Sequence, residues 1–362
     1  MSEPQAVPIF LLGSGVSCAA GLPNLQTLSC AVASSISGPE ANLLEVIKLL
    51  SAATHGDDRH SYEDWFFVAD QIYQHEAGDF ENPVVLPLME RLRCSLGMSN
   101  DAIKAAAERL CLGIAATAHR ELSPRESRSD RAFEGLADVI QKRPSQFRFF
   151  SINHDTLLES WLKKHGINPY MCLEQHPDSP AYERVRFSHQ DFDAARVSVI
   201  KLHGSLDWRR FRPKSARKAA DPFRGEFLGV CHGEDSRFEE MDDGSRTLTG
   251  TWNKIVQYSS PFFLPMFSQF HRCLRDSNRL VVCGYGFGDK GINSLLIDWI
   301  LSNEERRLIV IDPDPFNPSR CRQAVFDKVE VWKSDGRLEV IGRRVSNDDM
   351  TWTEILEMID GR

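Results

Sequence analysis

Short apolar runs alternate with stretches of helical period along most of this chain. Val7–Leu12, Phe147–Ile152, Val197–Leu202 and Arg279–Cys283 are apolar, rich in branched and aromatic residues, and end in turn or polar residues. Runs of this kind predict strands buried on both faces, as in a parallel sheet. Leu308–Ile311 predicts a further strand, stopped by Asp312-Pro313, while Val329–Trp332 and Leu338–Ile341 are weaker candidates for a strand or a hairpin. Helical spacing fills the intervals. Asp155–Lys164 carries Leu157, Leu158, Trp161 and Leu162 on one face, and Gly291–Leu301 carries Ile292, Leu295, Leu296 and Trp299. Strand–helix alternation predicts an α/β fold: a Rossmann-like, doubly wound parallel sheet.

Two stretches break the alternation within this one domain, 1–362. Residues 39–131 are helix-like, with amphipathic segments at Leu43–Leu50, Trp65–Tyr73 and Ile103–Leu122, and are far longer than a crossover requires. They predict a helical insertion. Its apolar faces around Trp65–Tyr73 and Leu88–Leu96 exceed what the sheet needs, which leads us to expect an oligomer. A second insertion, 205–278, runs from basic through acidic around Glu234–Asp243 to aromatic around Trp252–Phe270.

Composition narrows the class. The chain has 362 residues, 42% of them hydrophobic and 26% charged, as in a globular protein. A formal charge of −8 argues against nucleic acid as a direct ligand. The local exception, Arg209, Arg210, Arg212, Lys214, Arg217 and Lys218, reads as a solvated loop or as a contact for a partner or phosphate. The nine cysteines include no C-x-x-C pair, so no zinc ribbon or redox motif is expected, and no metal. An odd thiol count, no basic start before Ile9–Leu12 and no run long enough to span a bilayer lead us to expect a cytoplasmic protein without membrane contact.

Candidate chemistry clusters at the carboxyl ends of the expected strands, where an open α/β sheet places its ligand crevice. Gly13-Ser14-Gly15-Val16-Ser17 follows the first strand; small residues there let backbone approach a pyrophosphate, although Cys18 stands where a G-x-G-x-x-G fingerprint needs glycine. A tight structural turn accounts for it equally well. Asn153-His154-Asp155 offers an amide and a carboxylate to sugar hydroxyls or a carboxamide, and is also good helix-capping chemistry. Lys201-Leu202-His203-Gly204 puts a histidine in a tight turn, as a base or as a buried residue satisfied by backbone. Gly284-Tyr285-Gly286-Phe287-Gly288-Asp289 is a second glycine loop, with Asp289 as ligand or cap. Asp312-Pro313 offers a carboxylate to ribose or forms a turn.

The order of these pieces resembles the sirtuin family: a glycine turn with Ala19-Ala20-Gly21-Leu22-Pro23 behind it, then N-x-D, K-L-H-G, G-x-G-x-x-D and I-D-P. The sirtuin-type NAD+ hydrolases of bacterial antiphage defence look closest. The resemblance implies that Gly13, Ser14, Gly15 and Ser17 hold the pyrophosphate of NAD+. It places Gly284, Gly286 and Asp312 on the adenosine side and includes Asp289 in the binding loop. It implies that Asn153 holds the nicotinamide ribose or orients water, that Asp155 meets the carboxamide, and that His203 is the base. The implied activity is NAD+ glycohydrolysis, gated by a trigger or by a partner such as a HerA-type ATPase or an Argonaute-like protein. Deacetylating sirtuins carry a four-cysteine zinc module after His-Gly and Asp-Phe-Arg after Gly-Ile-Pro. Here Cys231, Cys273 and Cys283 are unpaired in sequence and Asn24-Leu25-Gln26 follows Pro23, so deacylation ranks behind hydrolysis. His154 replaces the usual apolar residue of that motif. The other alternative is a sensor that binds NAD+ or ADP-ribose without turnover.

Overall fold

Strand formation follows the apolar runs closely. The computed structural model describes residues 8–55, 61–77, 85–123, 129–214, 225–233, 235–241, 258 and 260–360. Its strands in chain order are β1 (Ile9–Leu12), β2 (Phe147–Ser151), β3 (Leu173–His176), β4 (Ser179–Val185), β5 (Val197–Lys201), β6 (Arg209–Pro213), β7 (Phe227–Cys231), β8 (Phe238–Glu240), β9 (Arg279–Cys283), β10 (Arg307–Ile311) and β11 (Leu338–Ile341). Every residue of β1, β2 and β5 is buried, because helices cover both faces of a doubly wound sheet. Arg148 keeps its place inside β2 by donating to the Ala195 carbonyl (2.8 Å) and Ser198 Oγ (3.0 Å), with its guanidinium over the Phe192 ring.

The six-stranded sheet runs β5-β2-β1-β9-β10-β11, and each neighbouring pair is parallel. Starting at β1, the chain winds outward through β2 to β5, returns to β9 on the other side of β1, and continues to β10 and β11. The winding therefore reverses between β1 and β9, where an open α/β sheet forms its crevice. On one face Phe10 stacks on Phe149 (5.1 Å) and Trp352 packs edge-on against both, its indole N–H donating to the Ala132 carbonyl at 2.8 Å.

Val329–Trp332 is not a strand but part of a helix, Val329–Ser334. Val329 and Trp332 are buried while Val331 is 57% exposed. The apolar pair is thus spaced three apart, a helical interval that the run of Val329, Val331 and Trp332 conceals. The other correction is a second, antiparallel sheet, β3-β4-β7-β6-β8. Tyr182, Phe211, Phe227 and Phe238 form its small core. The basic run lies on it: Arg209, Arg210 and Arg212 pair with Glu240, Glu226 and Glu239. Neighbouring carboxylates thus answer these arginines, while Arg217 and Lys218 fall outside the described residues.

The described residues divide into two compact units, one made of 8–22, 123–241 and 258–360, the other of 23–122. The second unit is helical, with helices Leu25–Ser35, Gly38–His55, Tyr62–Ala77, Val85–Leu96 and Asn100–Leu122. Its apolar positions are largely satisfied within the chain: Leu43, Ile47, Trp65, Ile72, Met89, Leu92, Ile103, Leu110 and Ile114 are all buried. The faces that suggested an oligomer therefore do not by themselves require one.

Close loop packing makes one glycine irreplaceable. Gly284 has φ +63°, and a Cβ there meets Val16 N at 2.5 Å and the Gly15 backbone at 2.8 Å. We expect Gly284→Ala to lose on the order of 1–3 kcal/mol of stability. Gly286→Ala, whose nearest neighbour is 3.7 Å away, should change little. Urea unfolding of both variants checks this; equal midpoints refute it.

Candidate functional site

Where the winding reverses, the loops after β1 and β9 touch backbone to backbone. Gly13 N–H donates to the Cys283 carbonyl (2.9 Å), Gly15 N–H to the Gly284 carbonyl (2.8 Å), and Gly284 N–H to the Ile311 carbonyl (2.9 Å). A Cβ on Gly13 falls 2.5 Å from the Gly284 oxygen, and one on Gly15 falls 2.7 Å from Gly284 Cα and 3.2 Å from an Asp312 carboxylate oxygen. Gly13, Gly15 and Gly284 are thus demanded by each other. With Val16 N–H on the Gly13 carbonyl as well, the amides of Gly13, Gly15 and Val16 are satisfied inside the protein. Ser14 is exposed and begins a short helix, Ser14–Ala19, with Gly13 at its cap.

Ser17 lies inside, 4% exposed, and joins the first loop to the second. Its hydroxyl donates to Asp155 Oδ2 at 2.7 Å, and the Asn153 amide nitrogen donates to Ser17 Oγ (3.0 Å) and to the Gly13 carbonyl (2.9 Å). Asp155 Oδ1 accepts from Leu157 N–H (3.1 Å) at the start of the helix Leu157–Lys164. Asp155 therefore does support the helix, as capping would have it, while its other oxygen holds Ser17. Asn153 is oriented from two sides, with its side-chain donors turned toward the first loop.

The next strand end, β5, is tied to this one. Leu206 N–H donates to the His154 carbonyl at 2.9 Å, and Leu202 N–H to the Ser151 carbonyl at 2.9 Å. Buried Lys201 donates to the Asp155 carbonyl and pairs with Glu159 at 3.1 Å. Burial raises the Glu159 carboxyl pKa, against the opposing charge of Lys201. Nothing in the spacing of Glu159 and Lys201 announced this pair.

His203 is 2% exposed. Its Nε2 lies 2.7 Å from the Tyr258 hydroxyl and 3.3 Å from Asp289 Oδ2, and the Tyr258 hydroxyl donates to the same Asp289 oxygen at 2.9 Å. Asp289 Oδ1 caps the helix Lys290–Leu301 through Ile292 N–H at 2.9 Å. Asp289 thus serves as cap and as neighbour of the histidine, a placement that a cofactor-loop reading does not capture. Tyr258 was missed altogether, because one tyrosine in an aromatic segment carries no spacing signal.

Asp312 is buried after β10, with Oδ1 accepting from Asp314 N–H at 2.8 Å. The Cys18 thiol has its pKa raised by burial first, against Arg344, with Asp155 and Asp312 adding to the rise. This holds the thiol protonated, so Cys18 fills space instead of acting as a thiolate nucleophile. The structure thus gathers Gly13, Gly15, Ser17, Asn153, Asp155, Gly284 and Asp312 around one group of contacting loops, and brings Asp289 to His203. Gly286 takes no part in this packing, since a Cβ there would meet only the Arg320 side chain, at 3.7 Å. Among the described residues, no three His, Cys, Asp or Glu side chains gather as a metal-ligand set.

A family model described as a SIR2-like domain matches residues 148–333. Among solved structures, the chain is similar to a Sir2 homologue–NAD complex, at 15% identity over 91% of this chain and 90% of that one, with a TM-score of 0.36. It is also similar to a mutant Sir2 homologue–ADP ribose complex, at 13% identity over 91% of this chain and 92% of that one, with a TM-score of 0.34. No curated protein matches the chain.

The buried ion pair has a measurable consequence. Removing one partner leaves the other charge buried without compensation, so Lys201→Met should cost about 3–5 kcal/mol in denaturant unfolding. Adding Glu159→Leu to it should recover most of the loss. A single variant as stable as the parent would show that the pair is not coupled.

Proposed function

The chain belongs to the SIR2-like domain family, and we propose that it is an NAD+ glycohydrolase. Members of the family are NAD+-dependent enzymes. The observation that carries the reading is the convergence of the loops after β1, β2 and β9 at the reversal point of the sheet, with the His203 turn tied to the Asn153 loop by hydrogen bonds. Asn153 and His203 then serve the nicotinamide ribose and the attacking water, while Ser14, the two glycine loops and Asp312 serve the rest of the dinucleotide.

In this chemistry the bond between ribose C1′ and the nicotinamide nitrogen breaks, and its electron pair neutralises the pyridinium. The ribose develops oxocarbenium character, as in glycoside hydrolysis. Water bonds to C1′ and gives up a proton to His203, leaving ADP-ribose and nicotinamide. Fixed carboxylates and amide dipoles in a water-poor crevice stabilise the positive charge as it moves onto the sugar. No step of this sequence calls for a metal.

Hydrolysis is preferred over deacylation because the cysteines after His203-Gly204 lack the spacing of a zinc module. The order of the motifs, like that of the NAD+ hydrolases of antiphage defence, supports a role in defence. NAD+ depletion harms the host, so the activity is gated, with a HerA-type ATPase or an Argonaute-like protein as the partner class to try.

His203→Ala and Asn153→Ala should each abolish nicotinamide release while the protein stays folded, since general-base contributions are about a hundredfold to ten-thousandfold. Chromatography of NAD+ incubated with each variant, beside thermal unfolding, reads both. Wild-type turnover in His203→Ala removes the mechanism. Binding of NAD+ by the parent without any product, with every candidate partner supplied, identifies a sensor instead. Elemental analysis should find no stoichiometric zinc; finding it would reopen deacylation.

A further inference from the structure

We propose that Asp289 and Tyr258 are positioning residues that hold the proton of His203 on Nε2 and so fix the tautomer of the histidine. The proposal rests on the reading of His203 as the base. It follows from counting hydrogens. A tyrosine hydroxyl has one hydrogen and an ionised carboxylate has none. The Tyr258 hydrogen goes to Asp289 Oδ2 at 2.9 Å, so the hydroxyl oxygen, 2.7 Å from His203 Nε2, must accept from Nε2–H. Asp289 Oδ2 itself stands 3.3 Å from Nε2, which adds direct attraction for a hydrogen there. In a neutral imidazole the lone pair then belongs to Nδ1.

Both partners are held where they are. Asp289 Oδ1 is committed to Ile292 N–H, and Asp289 N–H donates to the Tyr285 hydroxyl at 3.0 Å. Asn293 anchors the same loop, meeting the Tyr285 hydroxyl at 2.8 Å and donating to the Phe287 carbonyl at 2.7 Å. The Tyr258 ring stacks on Phe267 at 4.1 Å and lies over Gly291, where a Cβ would stand 2.5 Å from the ring. His203 and Asp289 side chains are 3% and 6% exposed, so water competes little for these bonds. The arrangement is the orienting logic of a carboxylate behind a catalytic histidine, with a tyrosine hydroxyl added as a bridge.

The decisive variant is Asp289→Asn. Its oxygen is needed by Ile292 N–H, so the amide NH2 faces Tyr258 and His203 and reverses the polarity of the contact. We expect kcat for nicotinamide release to fall by about a hundredfold to ten-thousandfold, with KM for NAD+ changed only a few-fold. In 15N spectra of histidine-labelled full-length protein, the His203 proton should sit on Nε2 in the parent and move to Nδ1 in the variant. Tyr258→Phe keeps the direct carboxylate contact and should show a smaller loss of kcat with the Nε2 tautomer retained. A parent protein with its His203 proton on Nδ1, or Asp289→Asn turning over like the parent, overturns the proposal. The spectra need no turnover: a parent that releases no nicotinamide sinks the glycohydrolase reading, while the tautomer still decides this one. Should Asp289→Asn fail to fold, the parent spectrum and Tyr258→Phe remain decisive.

Discussion

The contact on which this structure depends is the meeting of the β1 and β9 loops at the Gly15–Gly284 hydrogen bond, 2.8 Å long, where neither residue has a side chain. Two βα loops on opposite sides of a winding reversal ordinarily splay apart and leave a crevice. Here they close on each other at the base, so that Gly13, Gly15 and Gly284 pack backbone on backbone. A Cβ on any of the three would fall 2.5–2.7 Å from the opposing backbone, so the loops could not keep this contact. The glycines therefore do a packing task before any ligand arrives, and Ser14, at the start of the helix Ser14–Ala19, is left exposed.

From that contact a chain of polar groups runs outward across the strand ends. Asn153 holds the Gly13 carbonyl and Ser17, Ser17 holds Asp155, and Lys201 holds the Asp155 carbonyl while answering Glu159. Each member is buried or nearly so, and each satisfies another. Networks of this kind contribute rigidity more than net stability, because an unsatisfied member costs more than a satisfied one gains. A rigid set of loops suits a reaction in which positioning and fixed dipoles carry the catalysis. It also gives Asp155 two tasks at once, since one oxygen supports the helix Leu157–Lys164 and the other fixes Ser17.

His203 belongs to a second group, with Tyr258 and Asp289. Asp289 comes from the loop after β9 and Tyr258 from the segment that precedes the helix Leu264–Arg275. The histidine is thus joined to the first group through its own turn, by the Leu206–His154 hydrogen bond, and to the second through its ring. A change in the segment that holds Tyr258 would reach the histidine directly.

Periodicity was enough to determine the parallel strands and the helices between them, because burial on both faces leaves an unbroken apolar run such as Ile9–Leu12 that polar segments cannot imitate. It failed at Val329–Trp332, where three apolar residues in four serve a helix or a strand equally well, and at the antiparallel strands β3, β4, β6, β7 and β8, which are short and alternate too weakly to stand out. Residue types at strand ends were legible as well: Asn153, Asp155, His203 and Asp312 are polar groups where an apolar run stops. What each one touches was not legible. The partners lie far away in sequence, Ser17 from Asp155, Lys201 from Glu159, Asp289 and Tyr258 from His203. Hydrogen bonds of 3 Å are set by how the strands are ordered side by side. The sequence by itself determined which groups are available at the crevice; only the tertiary structure, by winding out from β1 and back to β9, decided which of them meet.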